Sequence, residues 1–277
     1  MTALEVSGVS KVFNKGRRDE VSALHDVDLV VQSGQFVSLI GPSGCGKSTL
    51  LRLIADLIQP TSGTVTVAGK PARRARLDQE YGIAFQQAGL FDWRTVRRNV
   101  ELPLELRGVN RAERKARAEE MLVLVGLEEF AGHYPAQLSG GMQQRVAIAR
   151  ALAVHPPLLL MDEPFGALDE MTRERLQAEL LQICAKTGTS TVFVTHSIPE
   201  AVFLSDRVVV MSARPGRITD VVEVDLRERT EATRQSPGFF TAITKVRRAL
   251  RGTKAAESTE PGGPAEPGVS AEVLADS

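Results

Sequence analysis

The chain has 277 residues, 43% hydrophobic and 25% charged, which is typical of a globular protein with a sizeable core. Lys and Arg number 34 and Asp and Glu number 34, so the formal net charge is zero and exerts no global pull toward nucleic acid or anionic membrane. The sequence has two cysteines, no secretory signal and no apolar run near the ~18 residues that a membrane helix needs. We therefore expect a protein that is soluble or that reaches a membrane only through partners.

Short apolar segments alternate with helical segments along the chain. The predicted strands are Leu4–Val9, Val27–Val31, Phe36–Ile40, Gly63–Ala68, Tyr81–Phe85, Leu158–Met161, Ser190–Val194 and Arg207–Met211. Helices are predicted from Lys47 through Ile54, within Val96–Gly126, over Gly140–Val154 and Glu170–Lys186, and briefly between the last two strands. This alternation indicates an α/β fold with a largely parallel sheet. The charged middle stretch indicates an inserted helical subdomain, roughly residues 88–155.

The C-terminal region is predicted to follow a main domain of residues 1–235. An amphipathic helix over residues 236–251 either packs on the core or touches lipid headgroups, and we expect packing. Residues 252–277 contain almost no large apolar side chains. They are predicted to be disordered because they cannot bury enough surface to offset the entropy of ordering. The apolar side of the helix carries Phe239, Phe240, Ile243, Val246 and Leu250.

A glycine-rich segment follows the apolar strand Phe36–Ile40 and opens a helix. It has the pattern G-x-x-x-x-G-K-[ST], which is specific in this strand-to-helix context, whereas a chance glycine-rich turn is the alternative. Glycines allow backbone N–H groups to wrap phosphates, Lys47 reaches the β- and γ-phosphates, and Ser48 is a ligand for Mg²⁺. The predicted nucleotide-binding residues here are Gly41, Pro42, Ser43, Gly44, Cys45, Gly46, Lys47, Ser48 and Thr49.

Two acids end the apolar strand that starts at Leu158. Asp162 is predicted to hold Mg²⁺, and Glu163 is predicted to polarise the attacking water as a general base. Acids after a strand are common and are usually only solvated. The functional roles of these two acids are therefore inferred from their combination with the phosphate-binding pattern earlier in the chain.

A second helix start carries another potential anion site. Ser139 is a natural N-cap, and Gly140 and Gly141 leave backbone N–H groups bare. The segment that contains them reads Leu138-Ser139-Gly140-Gly141-Met142-Gln143-Gln144-Arg145. With this octet the chain closely resembles the ATP-binding cassette (ABC) ATPases, over roughly residues 1–218. The resemblance implies a P-loop NTPase fold with a RecA-like core, an antiparallel β subdomain and the inserted helical subdomain, and an ATPase that uses ATP and Mg²⁺.

The resemblance also implies roles for residues outside the phosphate loop. Gln86 matches the family glutamine that contacts Mg²⁺ and the water, and His196 matches the switch histidine that contacts the γ-phosphate. Asp169 lies in the loop that crosses the dimer interface. Phe13 stands where the family usually places an aromatic ring against adenine, although a lone aromatic near a strand end is more often part of a core. Gln143 belongs with Ser139, Gly140 and Gly141 to the nucleotide-binding octet.

Family members work as dimers in which ATP lies between the phosphate loop of one cassette and the Ser139–Gly141 segment of the other. This chain holds one cassette, so the resemblance implies a second cassette, with a homodimer expected. It also implies transmembrane permease subunits, a solute-binding protein outside the membrane that acts indirectly, and a peripheral location at the cytoplasmic face of the membrane. No nucleic acid partner is expected.

Local patterns resemble the branch that imports nitrate, sulfonates, taurine and related small solutes. One is Asp92-Trp93-Arg94-Thr95-Val96, with Phe91-Asp92 where that branch usually has Leu-Pro, and another is Ser212-Ala213-Arg214-Pro215-Gly216-Arg217-Ile218. Trp93 is either an anchor for a permease helix or a hydrophobic plug within the helical subdomain. The many arginines between residues 94 and 117 are interspersed with glutamates, which favours a solvated mixed-charge surface over a nucleic-acid site.

Three other functions compete with the importer ATPase. A soluble ABC ATPase of DNA repair would carry a long coiled coil between the phosphate loop and Ser139, and one of translation would carry two cassettes. A non-catalytic scaffold is disfavoured because the predicted catalytic residues are intact. An exporter stays open, although exporters often fuse the membrane domain to the cassette.

Overall fold

Strands and helices alternate through most of the chain in the computed structural model, which describes residues 1–166, 168–226 and 228–257. The strands are β1 Thr2–Phe13, β2 Val21–Gln32, β3 Phe36–Ile40, β4 Ser62–Val67, β5 Lys70–Pro71, β6 Tyr81–Phe85, β7 Leu158–Asp162, β8 Ser190–Val194, β9 Arg207–Met211 and β10 Ile218–Glu223. The α-helices are α1 Lys47–Ile54, α2 Ala72–Leu77, α3 Val96–Leu106, α4 Arg111–Leu124, α5 Gly140–Leu152, α6 Glu170–Thr187, α7 Ile198–Leu204 and α8 Pro237–Glu257. Within these ranges, no helix has the length and apolar character needed to cross a membrane.

Two sheets organise these elements. One is antiparallel, with the order β2-β1-β4-β5. The other has the order β10-β9-β3-β8-β7-β6, and all its neighbouring strands are parallel except β10 with β9. The carboxyl ends of β3, β7 and β8 therefore meet at one edge, where α/β proteins bind their ligands. The predicted α/β fold with an antiparallel β subdomain is confirmed.

The central strands are buried on both faces. All five residues of β3 and all five of β8 are buried, so neither strand alternates between buried and exposed side chains. On one face, Leu39 belongs to an apolar cluster with residues of α1 and the antiparallel sheet. On the other face, Ile40 and Phe193 pack with side chains from the helices α5 to α8. Packing on both faces of the sheet therefore fixes the positions of the strand ends at which the predicted site residues lie.

The helical subdomain is built from α3, α4 and α5, and its helices begin at polar caps. The side chains of Thr95 and Asn110 accept hydrogen bonds from backbone amides in the first turns of α3 and α4. Asn99 is fully buried in α3, and it accepts from the Phe91 amide at 2.8 Å and donates to the Phe91 carbonyl at 3.1 Å. The segment that leads into α3 is therefore tied to the helix, and it presents Trp93 from a fixed backbone.

Salt bridges cover the surface of this subdomain. Arg94 pairs with Glu105 at 2.7 Å, and Arg117 pairs with Glu120 at 2.6 Å. Acidic side chains thus lie among the arginines of this subdomain, as expected for the predicted mixed-charge surface.

The C-terminal helix α8 packs on the core through Phe239, Ile243 and Val246, against α7, β9 and β10. Phe240, which was predicted on the apolar side, is exposed instead. The helix also continues past the predicted end at residue 251, through Ala255 and Ala256 to Glu257. The stretch predicted to be disordered, 252–277, therefore overlaps the described helix over residues 252–257. The rest of that predicted tail, 258–277, lies outside the described residues.

Candidate functional site

The predicted phosphate-binding loop connects β3 to α1 and opens directly into the first turn of the helix. Gly46 has a φ of 100°, and a Cβ at this position would lie 2.6 Å from Leu24 Cδ2. Only glycine suits a position that is both left-handed and crowded. The loop therefore brings its backbone N–H groups to the N-terminus of α1, an arrangement that binds phosphate.

Two side chains at the start of α1 make contacts with oxygen atoms. Lys47 is 7% exposed, and its Nζ donates to the carbonyl oxygens of Gly41 and Pro42 at 2.9 and 3.1 Å. Ser48 Oγ donates to Asp162 Oδ1 at 2.9 Å. The ammonium group is thus held inside the loop, with a hydroxyl oxygen and a carboxylate oxygen side by side at the helix start.

The Asp162 carboxyl lies partly buried at the end of β7. Burial raises its pKa, the hydrogen bond from Ser48 acts in the opposite direction, and the neighbouring Glu163 carboxylate adds to the rise. A carboxylate that has lost part of its hydration and has a hydroxyl oxygen beside it is suited to a small hard cation such as Mg²⁺. Ser48 and Asp162 therefore fit the metal that the sequence predicts.

Glu163 faces His196 across the ends of β7 and β8. Its amide donates to the Val194 carbonyl at 2.9 Å, and its Oε2 lies 3.1 Å from His196 Nδ1. Glu163 has a φ of 47°, a left-handed conformation that costs a non-glycine residue about 1 kcal/mol. The backbone holds this residue in an unfavourable conformation where a predicted catalytic side chain is needed.

A cavity of about 430 Å³ joins these groups. It extends from Glu163 and His196, along the loop, to Phe13 near the end of β1. Phe13 is 37% exposed, so it is not a core residue, and Lys11 Nζ lies 5.0 Å from the centroid of its ring. The lining residues are Phe13, Val21, Ala23, Ser43, Gly44, Cys45, Gly46, Lys47, Ser48, Thr49, Glu163, His196 and Arg214.

Three lining residues were not predicted from the sequence: Val21, Ala23 and Arg214. Val21 pairs with Phe13 across β1 and β2, a register that no local pattern reveals. Arg214 lies in the turn between β9 and β10, and the only signal for it was the Ser212–Ile218 pattern noted above.

The second predicted anion site lies elsewhere on the same chain. Ser139 caps α5, and its Oγ accepts a hydrogen bond from the Met142 amide at 3.3 Å. Gly140 and Gly141 form the first turn, and Gln143 Nε2 donates to the carbonyl oxygens of Pro135 and Leu138 at 3.0 and 3.4 Å. None of these residues lines the cavity around Lys47.

Gln86 and Asp169 also lie outside that cavity. Gln86 follows the edge strand β6 and lines a neighbouring groove with Gly140, Gln143 and Leu168. Asp169 caps α6 by accepting from the Thr172 amide at 3.0 Å, a contact that lowers the pKa of its carboxyl. The predicted site residues of one chain therefore lie at two places, the cavity around Lys47 and an adjoining surface.

A buried hydrogen-bond chain behind His196 was also missed by the sequence analysis. Glu200 accepts from Thr195 Oγ1 and, at 2.8 Å, from Gln177 Nε2. Gln177 Oε1 accepts from Arg234 Nη2 at 2.6 Å. Burial raises the pKa of Glu200, whereas the bonds from Thr195 and Gln177 act in the opposite direction. This chain ties the strand end that carries His196 to α6 and to the segment before α8.

Comparison with known proteins identifies this arrangement. The family model described as "ABC transporter" matches residues 24–166. The chain is 51% identical, over 83% of its length and 85% of the relative's, to an uncharacterized ABC transporter ATP-binding protein of Methanocaldococcus jannaschii. It is 45% identical to the nitrate import ATP-binding protein NrtD of Synechocystis sp., with 92% of this chain and 97% of the relative covered. It is also 45% identical to the taurine import ATP-binding protein TauB of Rhizobium johnstonii, with 91% and 97% covered.

A solved structure shows the same fold. It is a dimeric ATP-binding cassette in a post-hydrolysis state bound to ADP and Pi, and it superimposes with a TM-score of 0.70 at 37% identity, covering 80% of this chain and 99% of that chain. The fold, the cavity beside the glycine-rich loop and these similarities lead to one conclusion: the chain is an ATP-binding cassette of the ABC transporter family, a family of ATPases.

Proposed function

We propose that this chain is the ATP-hydrolysing subunit of an importer, and that it couples hydrolysis to the uptake of a small solute of the nitrate, sulfonate and taurine class through a separate permease. The observation that carries the proposal is the nearly end-to-end similarity to ATP-binding proteins named for nitrate import and taurine import. The Trp93 segment and the Ser212–Ile218 turn support the same branch.

ATP is proposed to occupy the cavity with its base toward Phe13 and its phosphates on the loop. Backbone amides of residues 43–49 would bind the phosphate oxygens, and the first turn of α1 adds its positive end. Lys47 would exchange its two carbonyl partners for β- and γ-phosphate oxygens, because an ion pair with phosphate is stronger than a bond to a neutral carbonyl. The contacts at Gly41 and Pro42 keep the ammonium group in place until then.

Ser48 and Asp162 are proposed to hold Mg²⁺, with Gln86 added when its side chain turns toward the cavity. Bound there, the ion would offset negative charge on the phosphates as it develops during transfer. The 2.9 Å contact between Ser48 Oγ and Asp162 Oδ1 supports this proposal, because it brings two oxygen atoms suited to Mg²⁺ side by side.

Glu163 is proposed to act as the general base. Its carboxylate would accept a proton from water as the water oxygen forms a bond to the γ-phosphorus and the bond to the ADP oxygen breaks. His196 lies within hydrogen-bond distance of Glu163, so it can hold the carboxylate in place and reach the γ-phosphate from the same side. Gln86 would help to orient the water.

A second copy of the cassette is proposed to complete each site. Ser139 and Gly140 are exposed and lie, with Gly141, Gln143 and Asp169, outside the cavity of their own chain, so this helix start can face a nucleotide bound to a partner. A helix N-terminus with a serine cap suits the γ-phosphate. The dimeric state of the solved cassette described above supports this arrangement.

The importer assignment predicts which proteins accompany this subunit. Affinity capture from gently solubilised native membranes, followed by mass spectrometry, should recover a polytopic permease. The solute-binding protein that co-purifies or is encoded with it can then be screened for binding of nitrate, taurine and alkanesulfonates. Recovery of ribosomes, DNA or no membrane protein would contradict the importer and leave a soluble ABC ATPase.

Trp93 is proposed as an anchor for the permease. Its side chain is 74% exposed, and its ring contacts Phe91 at a centroid distance of 4.8 Å, so the alternative of a buried plug is wrong. Trp93→Ala should leave the ATPase rate of the isolated subunit unchanged and should weaken co-purification of the permease at least about 10-fold, since exposed aromatic anchors often contribute 2 kcal/mol or more.

Phe240→Ala is the matched control for Trp93→Ala. Phe240 is also an exposed aromatic residue, 57% exposed, but it lies on α8, remote from the helical subdomain. The control should retain the permease. Equal retention by both variants would remove Trp93 from the interface.

A further inference from the structure

The turn between β9 and β10, residues 212–217, packs against the phosphate loop and has no role in the ATP hydrolysis proposed for this site. The turn is closed by two hydrogen bonds between Ser212 and Arg217, each 2.9 Å long. It is joined to β2 as well, because the Gly216 amide donates to the Ala23 carbonyl at 2.9 Å and the Gly216 carbonyl accepts from the His25 amide at 3.0 Å. A turn held on two sides presents its remaining side chains from a fixed backbone.

Gly216 brings this turn into direct contact with the loop. A Cβ on Gly216 would lie 2.0 Å from the carbonyl oxygen of Cys45, far inside van der Waals contact. Only a glycine allows so close an approach. The turn that contains Gly216 is therefore placed at the rim of the cavity.

Arg214 reaches that cavity from the turn. Its side chain is exposed and lines the same cavity as Lys47 and Phe13. Its Nη2 donates to the Gly44 carbonyl at 3.3 Å, which leaves the other guanidinium N–H donors available for a ligand. An arginine side chain is always charged at physiological pH.

Arg214 differs from two other arginines near the same strands in its ion pairing. Within the described ranges no acidic side chain forms a salt bridge with Arg214, whereas Arg207 pairs with Glu223 at 3.0 Å and Arg229 pairs with Asp206 at 2.8 Å. A cation without an acidic partner, next to a loop whose amides bind phosphate, attracts an anion. Guanidinium is well suited to phosphate because it can donate two parallel hydrogen bonds.

We propose that Arg214 binds the phosphate chain of the nucleotide, as a second cation that acts from the rim of the cavity while Lys47 acts from inside the loop. The inference rests on the nucleotide site of the proposed function. It assigns to the Ser212–Ile218 turn the task of carrying a phosphate ligand that lies far from the loop in sequence.

Calorimetric titration of the full chain with ATP, ADP and AMP tests this assignment. Arg214→Ala should raise the Kd for ATP about 5- to 10-fold at low salt, which is the range expected for one charge-assisted contact at an exposed site. The loss should be smaller for AMP, which lacks two phosphates. It should also shrink as salt rises, because ions screen an exposed contact. Arg214→Gln, which keeps N–H donors without the charge, should fall between wild type and Arg214→Ala.

Arg217→Ala is the matched control, since Arg217 is exposed in the same turn but does not line the cavity. It should keep the Kd for ATP within about 2-fold of wild type, as expected for an exposed charge without a ligand contact. Unchanged ATP and ADP affinity in both Arg214 variants, or an equal loss in Arg217→Ala, would overturn the inference while leaving the nucleotide site in place. A wild-type chain that binds none of the three nucleotides would overturn the proposed site as well.

Discussion

Glu163→Gln should lower the ATPase rate at least about 100-fold while leaving ATP binding intact, because a general base contributes on the order of 10²- to 10⁴-fold to such a reaction. Glutamine has the size and shape of glutamate, and its amide can keep the contact that Glu163 Oε2 makes with His196 Nδ1 at 3.1 Å. What it loses is the lone-pair basicity that accepts the proton from water. The nucleotide would then remain uncleaved between two cassettes.

The same substitution should therefore also change the oligomeric state. With ATP and Mg²⁺, the Glu163→Gln chain should form a stable dimer that is detected by light scattering coupled to size exclusion, whereas the wild-type dimer should be transient. Glu129→Gln is the control, since Glu129 is an exposed acid remote from the cavity, and it should behave as wild type. Normal ATP turnover by Glu163→Gln would remove the general-base role from this residue.

The parts of the site that follow buried strands could be predicted from the sequence. Each of β3, β7 and β8 is a short apolar run that ends in polar residues, and its boundaries depend on local pattern and on turn residues. The parallel sheet then brings the three ends to one edge. This is why the sequence predicts Lys47 at the start of a helix and Asp162 and His196 at strand ends, where the structure has them.

The antiparallel sheet shows where local patterns fail. β1 and β2 extend over 12 residues each, far longer than the predicted Leu4–Val9 and Val27–Val31. Their outer halves are stabilised by pairing with each other, with register shifts that no single segment encodes. The same pairing places Val21 and Ala23 in the cavity, so these residues could not be identified from composition or spacing.

The directions of individual side chains could not be predicted from the sequence either. The sequence placed Gln86 directly after a strand, but it could not show that the strand is the edge strand β6 or that the side chain lies in the adjoining groove. It left Trp93 open between a plug and an anchor, and only the exposed fraction excludes the plug. Arg214 belonged to a noted pattern, yet its contact with Gly44 spans 170 positions of the chain.

Lys47→Ala should raise the Kd for ATP more than about 100-fold and remove measurable hydrolysis. Ion pairs with phosphate that replace two carbonyl contacts are worth about 3 kcal/mol or more, which corresponds to that factor. The residue is almost entirely buried within the loop, so no other lysine can take its place. Binding of a fluorescent ATP analogue and phosphate release, measured on the same preparation, would test both parts of the expectation.

Two controls separate a loss of phosphate binding from a loss of the loop itself. Lys186→Ala removes one exposed lysine near the end of α6 and should leave the Kd for ATP unchanged. Thermal unfolding of the Lys47→Ala chain without nucleotide should stay close to that of wild type, because Lys47 lines the cavity, so water can enter the space that its side chain leaves and hydrate the two carbonyl oxygens. If Lys47→Ala bound ATP as tightly as wild type, the phosphates would have to lie elsewhere, and the roles assigned to Ser48, Asp162 and Arg214 would fall with that of Lys47.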